Sequence, residues 1–201
     1  MKRVRIVLWL AVAVAALVGG ALYLTAPRPG ELPMNVSRPD PDATLSIGGP
    51  FELVGPDGAT FTQADLEGRP SAVFFGFTHC PDVCPTTLST LVRLRRDLGP
   101  EDAFDILFIT VDPARDGPEE VGQYADLFDS PVIGLTGSEA QIAQAKKSFG
   151  VVSQRDGEGE DYDVQHTATV FLMDSDGAFQ STISPEETPA MARAKLERLI
   201  G

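Results

Sequence analysis

Two apolar runs constrain the fold of this chain more than any other feature of its sequence. Residues 72–77 and 104–111 are mainly apolar and rich in aromatic and branched side chains. Such runs predict β-strands that are buried on both faces. Between them, residues 85–98 carry leucine and valine at helical spacing and end at Gly99-Pro100, which predicts an amphipathic helix. A strand, a helix and a second strand in this order predict a sheet covered by helices, the α/β class.

Shorter segments continue this pattern. Further helices are predicted from Pro118, over residues 138–149 and over residues 188–200, with a short strand at 131–135. Hairpins are predicted near residues 51–61 and 167–183, where polar turn sequences separate two apolar segments. Residues 155–163 are polar and rich in glycine, and we expect an exposed loop there. Strands and helices alternate in the first part of the domain, and a hairpin follows near its end. Together these features predict a mixed sheet.

The first 25 residues differ from the rest of the chain. Residues 6–24 carry no charge, and Lys2, Arg3 and Arg5 precede them. At about 1.5 Å per residue, a helix of this length comes close to the thickness of a hydrocarbon core, about 30 Å. The alternative is a cleaved secretory signal, whose apolar part is usually shorter. Both interpretations export the remainder, because the basic residues stay on the cytoplasmic side.

A proline-rich segment at residues 26–43 predicts a semi-extended tether. We therefore expect a membrane anchor at 1–25, the tether at 26–43 and a folded domain at 44–201. No Arg- and Ser-rich transit region precedes the apolar run, which favours a bacterial cytoplasmic (inner) membrane with the domain on the periplasmic side. The net charge of −13 argues against binding to nucleic acid, which needs a basic surface.

The two cysteines of the chain lie in one short segment, Cys80-Pro81-Asp82-Val83-Cys84, between a predicted buried strand and a predicted helix. Because they are four residues apart, their sulfurs share one face of a helical turn and are close enough to share a ligand or a bond. The N-terminal end of a helix stabilises thiolates, so we expect it to lower the pKa of these thiols.

Three interpretations of the cysteine pair are open. A structural disulfide is common in exported proteins, but here it would close a very small loop, where the entropic gain is least. A redox dithiol fits the strand-to-helix position, although such pairs usually have the spacing Cys-x-x-Cys. A soft metal site also fits, because thiolates select Cu(I), for which two sulfurs and one imidazole are sufficient. Zinc usually needs four ligands in a structural site.

The two histidines differ as candidate ligands. His79 adjoins Cys80, which is a poor geometry for sharing a metal ion, and we expect its side chain to face solvent. His166 lies just before the predicted strand at 167–173 and after the polar loop. A lone histidine in such a place is more often structural or exposed than a ligand. Its position in the sequence therefore leaves its role open.

Three segments resemble the signatures of one family. Cys80-Pro81-Asp82-Val83-Cys84-Pro85, after Phe75-Gly76-Phe77-Thr78, resembles the cysteine motif of the SCO/SenC copper proteins. Val111-Asp112-Pro113-Ala114-Arg115-Asp116 resembles the second signature of that family. Asp161-Tyr162-Asp163-Val164-Gln165-His166-Thr167-Ala168 resembles its histidine motif. The three segments occur in family order, and the similarity runs from about residue 45 to residue 201.

The resemblance implies a thioredoxin-like fold with inserted hairpin elements, and copper binding by Cys80, Cys84 and His166. The ion is expected to be Cu(I), with Cu(II) as a second state. Family members deliver copper to the copper centre of cytochrome c oxidase or prepare its thiols. We therefore expect a copper chaperone, with a thiol-disulfide oxidoreductase acting on the cysteines of that centre as the alternative. The expected partners are the copper-receiving oxidase subunit or another copper protein, and the membrane.

Four further residues are candidates for supporting roles. By resemblance, Asp112 and Asp116 support the metal ligands or dock a partner, whereas the alternative is that Asp112 merely helps to end a strand. Asp82 is expected to be a helix-start carboxylate that favours the helix dipole and influences the thiol pKa values. The family commonly has Asp before the histidine. Gln165 stands there in this chain, and it can form a hydrogen bond but supplies no negative charge.

Overall fold

The computed structural model describes Trp9 and residues 47–100, 102–159 and 161–201. The predicted anchor and tether lie outside these residues, except for Trp9. Among the residues that the structure describes, no helix has both the length and the apolar character needed to cross a bilayer.

The described residues from Ile47 onward form nine strands and four α-helices. In chain order these are β1 (Glu52–Val54), β2 (Thr60–Thr62), β3 (Ser71–Gly76), α1 (Val83–Leu98), β4 (Asp105–Thr110), α2 (Pro118–Ala125), β5 (Ile133–Leu135), α3 (Glu139–Phe149), β6 (Ser153–Asp156), β7 (Asp163–His166), β8 (Val170–Met173), β9 (Phe179–Ile183) and α4 (Pro189–Ile200). A short 3-10 helix, Gln63–Leu66, follows β2 and was not expected from the sequence pattern.

The central sheet has five strands in the order β5-β4-β3-β8-β9. β3 is parallel to β4 and antiparallel to β8, and β4 is parallel to β5. Every residue of β3 and β4 is buried, which explains why their sequences are continuous apolar runs instead of alternating ones. The predicted mixed α/β sheet is confirmed.

Alternate residues of β3 belong to two cores, one on each face of the sheet. Val73 and Phe75 pack with residues of α3 and β1, whereas Ala72 and Phe74 pack with residues of α1, α2 and α4. This division follows from the two-residue period of a strand. Because both faces are covered, function is expected at the carboxyl ends of the parallel strands, where ligands bind in open α/β sheets.

The expectation of an exposed loop at residues 155–163 is only partly right, because residues 157–159 and Asp161 form an exposed connection but strands occupy both ends of the segment. Ser153–Asp156 and Asp163–His166 pair as an antiparallel hairpin, in which Ser153 is opposite His166. Gly157 and Gly159 have φ values of 109° and 80° between the two strands, a conformation that glycine adopts without steric cost. The following strand begins at Val170, three residues later than expected. His166 therefore ends a hairpin of its own.

Candidate metal and thiol site

The cysteine pair lies where β3 passes into α1. The N–H of Cys80 donates to the carbonyl of Phe77 at 3.2 Å, which closes a turn after the strand. α1 begins at Val83, two residues before the expected start, and the N–H of Cys84 in its first turn donates to Sγ of Cys80 at 3.4 Å. Both cysteines are free thiols. Cys84 is fully buried, whereas Cys80 is partly exposed.

Gly76 allows the sulfur of Cys84 to lie against the end of β3. A Cβ atom at this position would be 2.7 Å from Sγ of Cys84 and 2.8 Å from Cε2 of Phe108. Both distances are too short for a normal contact, so the available space requires glycine here. No role of Gly76 was predicted from the sequence. Its signal was a lone glycine inside an apolar strand, which often marks a close approach of another group.

Burial controls the acid–base behaviour of Cys84. The loss of water around its sulfur raises the pKa of Cys84 well above the usual value, and its hydrogen bond with the backbone of Phe77 offsets only part of that rise. The expectation that the helix start lowers the pKa of both thiols is therefore wrong for Cys84. A thiol in such a place stays protonated at neutral pH until a cation replaces the proton.

His166 faces the buried cysteine from the end of β7. Its Nε2 lies 3.7 Å from Sγ of Cys84, although the two residues are 82 positions apart in the sequence. Its Nδ1 lies 3.1 Å from the carbonyl oxygen of Thr167, which can only accept, so Nδ1 carries the proton. Burial lowers the pKa of His166, and the ring is therefore neutral at pH 7. A neutral imidazole that presents the lone pair of Nε2 is a metal-binding form.

The separation of these two donor atoms fits two ligands of one ion. Bonds of about 2.3 Å to sulfur and about 2.0 Å to nitrogen, at an angle of about 120°, place sulfur and nitrogen about 3.7 Å apart. Cys80 borders the same region through its contact with the N–H of Cys84. Within the described residues, no three His, Cys, Asp or Glu side chains already converge as a metal site.

Cys80 and His166 line an open cleft between the start of α1 and β7. The other residues around it are Phe77, Pro81, Asp82, Val83, Asp163, Val164, Gln165 and Ala168. The edges of Phe74 and Phe77 hold the imidazole, with ring centroids 6.3 and 5.8 Å from its own. Val83 is 40% exposed at the rim. The cleft is thus largely apolar around its sulfur and nitrogen donors.

Asp116 is fully buried and fixes the segment before the cysteines. Its carboxylate accepts hydrogen bonds from the N–H of Thr78 at 2.9 Å and from the hydroxyl of Thr78 at 2.6 Å. It also accepts one from the hydroxyl of Thr110 at 2.6 Å. The exposed His79 lies 3.7 Å from the same carboxylate through Nδ1. Asp116 is therefore an internal support of the cysteine segment, and its burial leaves no surface for docking a partner.

Asp112 supports the other half of the site. Its carboxylate accepts from Nε of Arg115 at 2.5 Å and from the hydroxyl of Tyr162 at 2.7 Å. Tyr162 directly precedes β7, the strand that ends with His166. Asp112 thus does more than end β4. Like Asp116, it is buried and acts through neighbouring residues.

Asp82 lies at the start of α1, and the side chain of Gln165 is directed towards the neighbouring strand. Asp82 occupies the N-cap position of α1 without a side-chain bond to the helix N–H groups, and its carboxylate lies 3.4 Å from the hydroxyl of Thr86. The side chain of Gln165 donates to Asp156 on the neighbouring strand at 3.1 Å. The carbonyl of Thr167, a backbone group, orients the imidazole instead.

Arg115 and Tyr162 had no role in the sequence analysis, although both lie inside the quoted motifs. The guanidinium of Arg115 donates to the carbonyl of Tyr162 at 2.9 Å and lies 3.7 Å from the centroid of its ring. The available signal was the presence of an arginine and an aromatic residue in two separate motifs. Nothing in the sequence shows that these two motifs touch.

These features define a class of protein: a thioredoxin-like α/β domain with a thiol pair at a strand–helix junction and an imidazole facing it. The family model of SCO1/SenC matches residues 39–201. A SCO2-like protein of Rickettsia felis is 34% identical over 196 residues, which cover 94% of this chain and 95% of that protein.

Solved structures agree with the family model. ScoI of Bradyrhizobium japonicum with copper bound is 40% identical, with a TM-score of 0.69 over 77% of this chain and 99% of that one. Yeast Sco1 with copper bound is 34% identical, with a TM-score of 0.69 over 76% of this chain and 87% of that one. The chain therefore belongs to the SCO1/SenC family, which confirms the resemblance found in the sequence.

We predict that Gly76→Ala destabilises the reduced protein by about 1–3 kcal/mol, the usual cost of overpacking a core. The added methyl group must displace Cys84 or Phe108. Urea unfolding of the reduced protein measures the change. Gly99→Ala is the control, because a Cβ at Gly99 meets no atom within 4 Å. Equal stability of the two variants would contradict this explanation of Gly76.

We predict that Asp116→Asn costs about 1.5–3 kcal/mol of unfolding free energy at pH 7, since the amide replaces a buried charged acceptor of three hydrogen bonds. The exposed Asp102 provides the matched control, and Asp102→Asn is expected to change stability by less than about 0.5 kcal/mol. The measurement is urea unfolding followed by circular dichroism. A stability of Asp116→Asn within error of the control would show that the buried carboxylate is not a support.

Proposed function

We propose that this chain is a copper-binding assembly protein. Cys80, Cys84 and His166 hold Cu(I) and pass it to the copper-receiving subunit of cytochrome c oxidase or to another copper protein. The observation that carries the proposal is the 3.7 Å approach of the His166 Nε2 lone pair to the sulfur of Cys84. Three matched structures, from Bradyrhizobium japonicum, Arabidopsis thaliana and yeast, are Sco proteins with copper bound. The Sco family is one of cytochrome c oxidase assembly proteins.

Binding of Cu(I) releases protons from the protein. The thiols of Cys80 and Cys84 each release a proton as their sulfurs bind Cu(I), and the charge of the ion offsets the burial that keeps Cys84 protonated. His166 is already neutral and loses no proton on binding. Two thiolates favour Cu(I) over harder cations such as Mg²⁺ or Ca²⁺.

The unequal exposure of the two cysteines is suited to copper transfer by ligand exchange. Cys80 borders the open cleft, whereas Cys84 is fully buried. A thiol of the receiving protein reaches the ion from the side of Cys80 while Cys84 and His166 still hold it.

A thiol-disulfide oxidoreductase is the second candidate, and the exposed position of Cys80 favours it. The thiolate of Cys80 attacks a disulfide of the oxidase copper site and releases one partner thiol. Cys84 then attacks the sulfur of Cys80, which releases the second partner thiol and leaves a Cys80–Cys84 disulfide. This route needs both cysteines and no metal ion. It assigns no ligand role to His166.

We also propose that residues 1–25 anchor the chain in a bacterial inner membrane and that residues 26–43 tether the domain, residues 44–201, on the periplasmic side. The uncharged run at residues 6–24 and the basic residues before it support this arrangement. Relatives from yeast and human are named as mitochondrial proteins.

We predict that Cys80→Ser, Cys84→Ser and His166→Ala each weaken Cu(I) binding by about tenfold or more, because each removes one donor atom of the set. An anaerobic titration with a competing Cu(I) chelator measures the affinity of the reduced protein. His79→Ala is the matched control, since it removes the other histidine, and it is expected to leave the affinity unchanged. Unchanged stoichiometry and affinity in all three variants would falsify the ligand assignment.

The same variants separate the two candidate functions. Copper-free reduction of a partner disulfide is expected to require both cysteines and to persist in His166→Ala if the protein is an oxidoreductase. Copper transfer to an acceptor with reduced thiols is expected to depend on all three residues if it is a chaperone. Fast disulfide reduction by His166→Ala, together with wild-type Cu(I) affinity in that variant, would favour the oxidoreductase.

A further inference from the structure

A single turn at the end of β4 contacts both halves of the site. Asp112 opens this turn, and its carbonyl accepts from the N–H of Arg115 at 3.2 Å and from the N–H of Asp116 at 3.0 Å. The side chain of Asp116 holds Thr78 before the cysteines. The side chains of Asp112 and Arg115 hold Tyr162 before the histidine strand. The turn therefore forms hydrogen bonds with both the cysteine segment and the segment before His166, which are far apart in the sequence.

Tyr162 is restrained through its hydroxyl, its ring and its backbone carbonyl. Its hydroxyl donates to Asp112, and its carbonyl accepts from Arg115. The guanidinium carbon of Arg115 lies 3.7 Å from the ring centroid, and that of Arg155 lies 3.6 Å from it. Two guanidinium groups this close to one centroid must occupy opposite faces of the ring. The tyrosine is thus clamped between two cations, an arrangement that attracts through the electron density of the ring.

Tyr162, the centre of this clamp, lies four residues before His166 and directly precedes β7, the strand that ends with His166. Between the two, Val164 packs into the core on the α3 face of the sheet. Arg155, the second cation of the clamp, pairs with Val164 in the ladder between β6 and β7. A short strand that is fixed at its start and at its middle has little freedom in the direction of its last residue. The position of Tyr162 is thus a constraint on the course of β7, in addition to the pairing of His166 with Ser153.

We propose that Tyr162, clamped by Asp112, Arg115 and Arg155, is a positioning residue that sets the distance between His166 and Cys84. This inference rests on the proposed role of His166 as a Cu(I) ligand. It also gives the second motif a function: the turn at Asp112–Asp116 brings the cysteine segment and the histidine hairpin together. None of the four clamp residues contacts the sulfur or nitrogen donors.

Tyr162→Ala is expected to release the end of β7 without touching a donor atom. In the apo protein, nitrogen-15 NMR of the imidazole reports whether the proton stays on Nδ1. We expect a single Nδ1–H form in the wild type and a mixture of tautomers in Tyr162→Ala. Tyr162→Phe keeps the ring between the two guanidinium groups and loses only the bond to Asp112, so its spectrum is expected to lie between the other two.

Copper affinity supplies the second readout. Tyr162→Ala is expected to weaken Cu(I) binding by about tenfold, a typical effect of losing a group that orients a ligand. In a His166→Ala background, Tyr162→Ala is expected to cause no further loss, because the clamp acts only through His166. Arg115→Lys is expected to weaken Cu(I) binding in the same way, since lysine lacks the planar guanidinium group and its several N–H donors. Arg193→Lys is its matched control, because Arg193 pairs with a carboxylate on α4.

Two results would overturn the inference. The first is an unchanged imidazole spectrum in Tyr162→Ala, which tests the clamp without copper and so holds whether or not the proposed function is correct. The second is an equal loss of Cu(I) affinity from Tyr162→Ala in the wild-type and His166→Ala backgrounds, which would mean that the clamp acts on the thiols or on the whole fold. A failure of copper binding in the wild type would count against the proposed function alone.

Discussion

The buried carboxylate of Asp116 and the turn that contains it are the constraint on which the rest of the site depends. The carboxylate accepts three hydrogen bonds, two of them from Thr78 in the segment that leads to Cys80. At the other end of the same turn, Asp112 and Arg115 hold Tyr162. A buried charge is costly unless such bonds compensate for it, so this turn has little freedom to adopt another arrangement.

Burial of Cys84 affects the acid–base behaviour of the thiol pair. A helix N-terminus alone would favour a reactive thiolate, as in redox enzymes, but the loss of water around the sulfur outweighs it and raises the pKa of Cys84. The protonated thiol is a poor nucleophile, whereas a soft cation can displace its proton. The imidazole of His166, neutral and proton-free on Nε2, suits the same cation. In the proposed function these two donors bind the copper ion, whereas the alternative route begins at the partly exposed Cys80.

Much of the fold could be predicted from the sequence because its main strands are long apolar runs. The predicted positions of β3, β4 and α1 are close to the observed ones. The cysteine pair lies at the junction of β3 and α1, as expected. The hairpin of β6 and β7 was missed, because two glycines and polar side chains at residues 155–163 suggest a loop. Its strands are stabilised by cross-strand hydrogen bonds and by burial of Val164, and neither shows as a hydrophobic period.

The site was predictable only as far as residues adjacent in sequence determine it. Cys80 lies in the turn before α1 and Cys84 in the first turn of that helix, so their proximity follows from their short separation in the sequence. The meeting of His166 with Cys84 depends on contacts between separate motifs, above all those of Arg115 with Tyr162, and no periodicity encodes them. Resemblance to a family identified His166, while the structure supplies the physical reason for its place. Gln165 illustrates the same limit, because its position beside the histidine did not reveal that it contacts Asp156.

X-ray absorption at the copper edge of the Cu(I)-loaded protein identifies the donor atoms of the ion. We expect two sulfur donors and one nitrogen donor in the wild type, with loss of the nitrogen in His166→Ala and its retention in His79→Ala. A shell of sulfur alone in the wild type, or a nitrogen donor that persists in His166→Ala, would contradict this expectation.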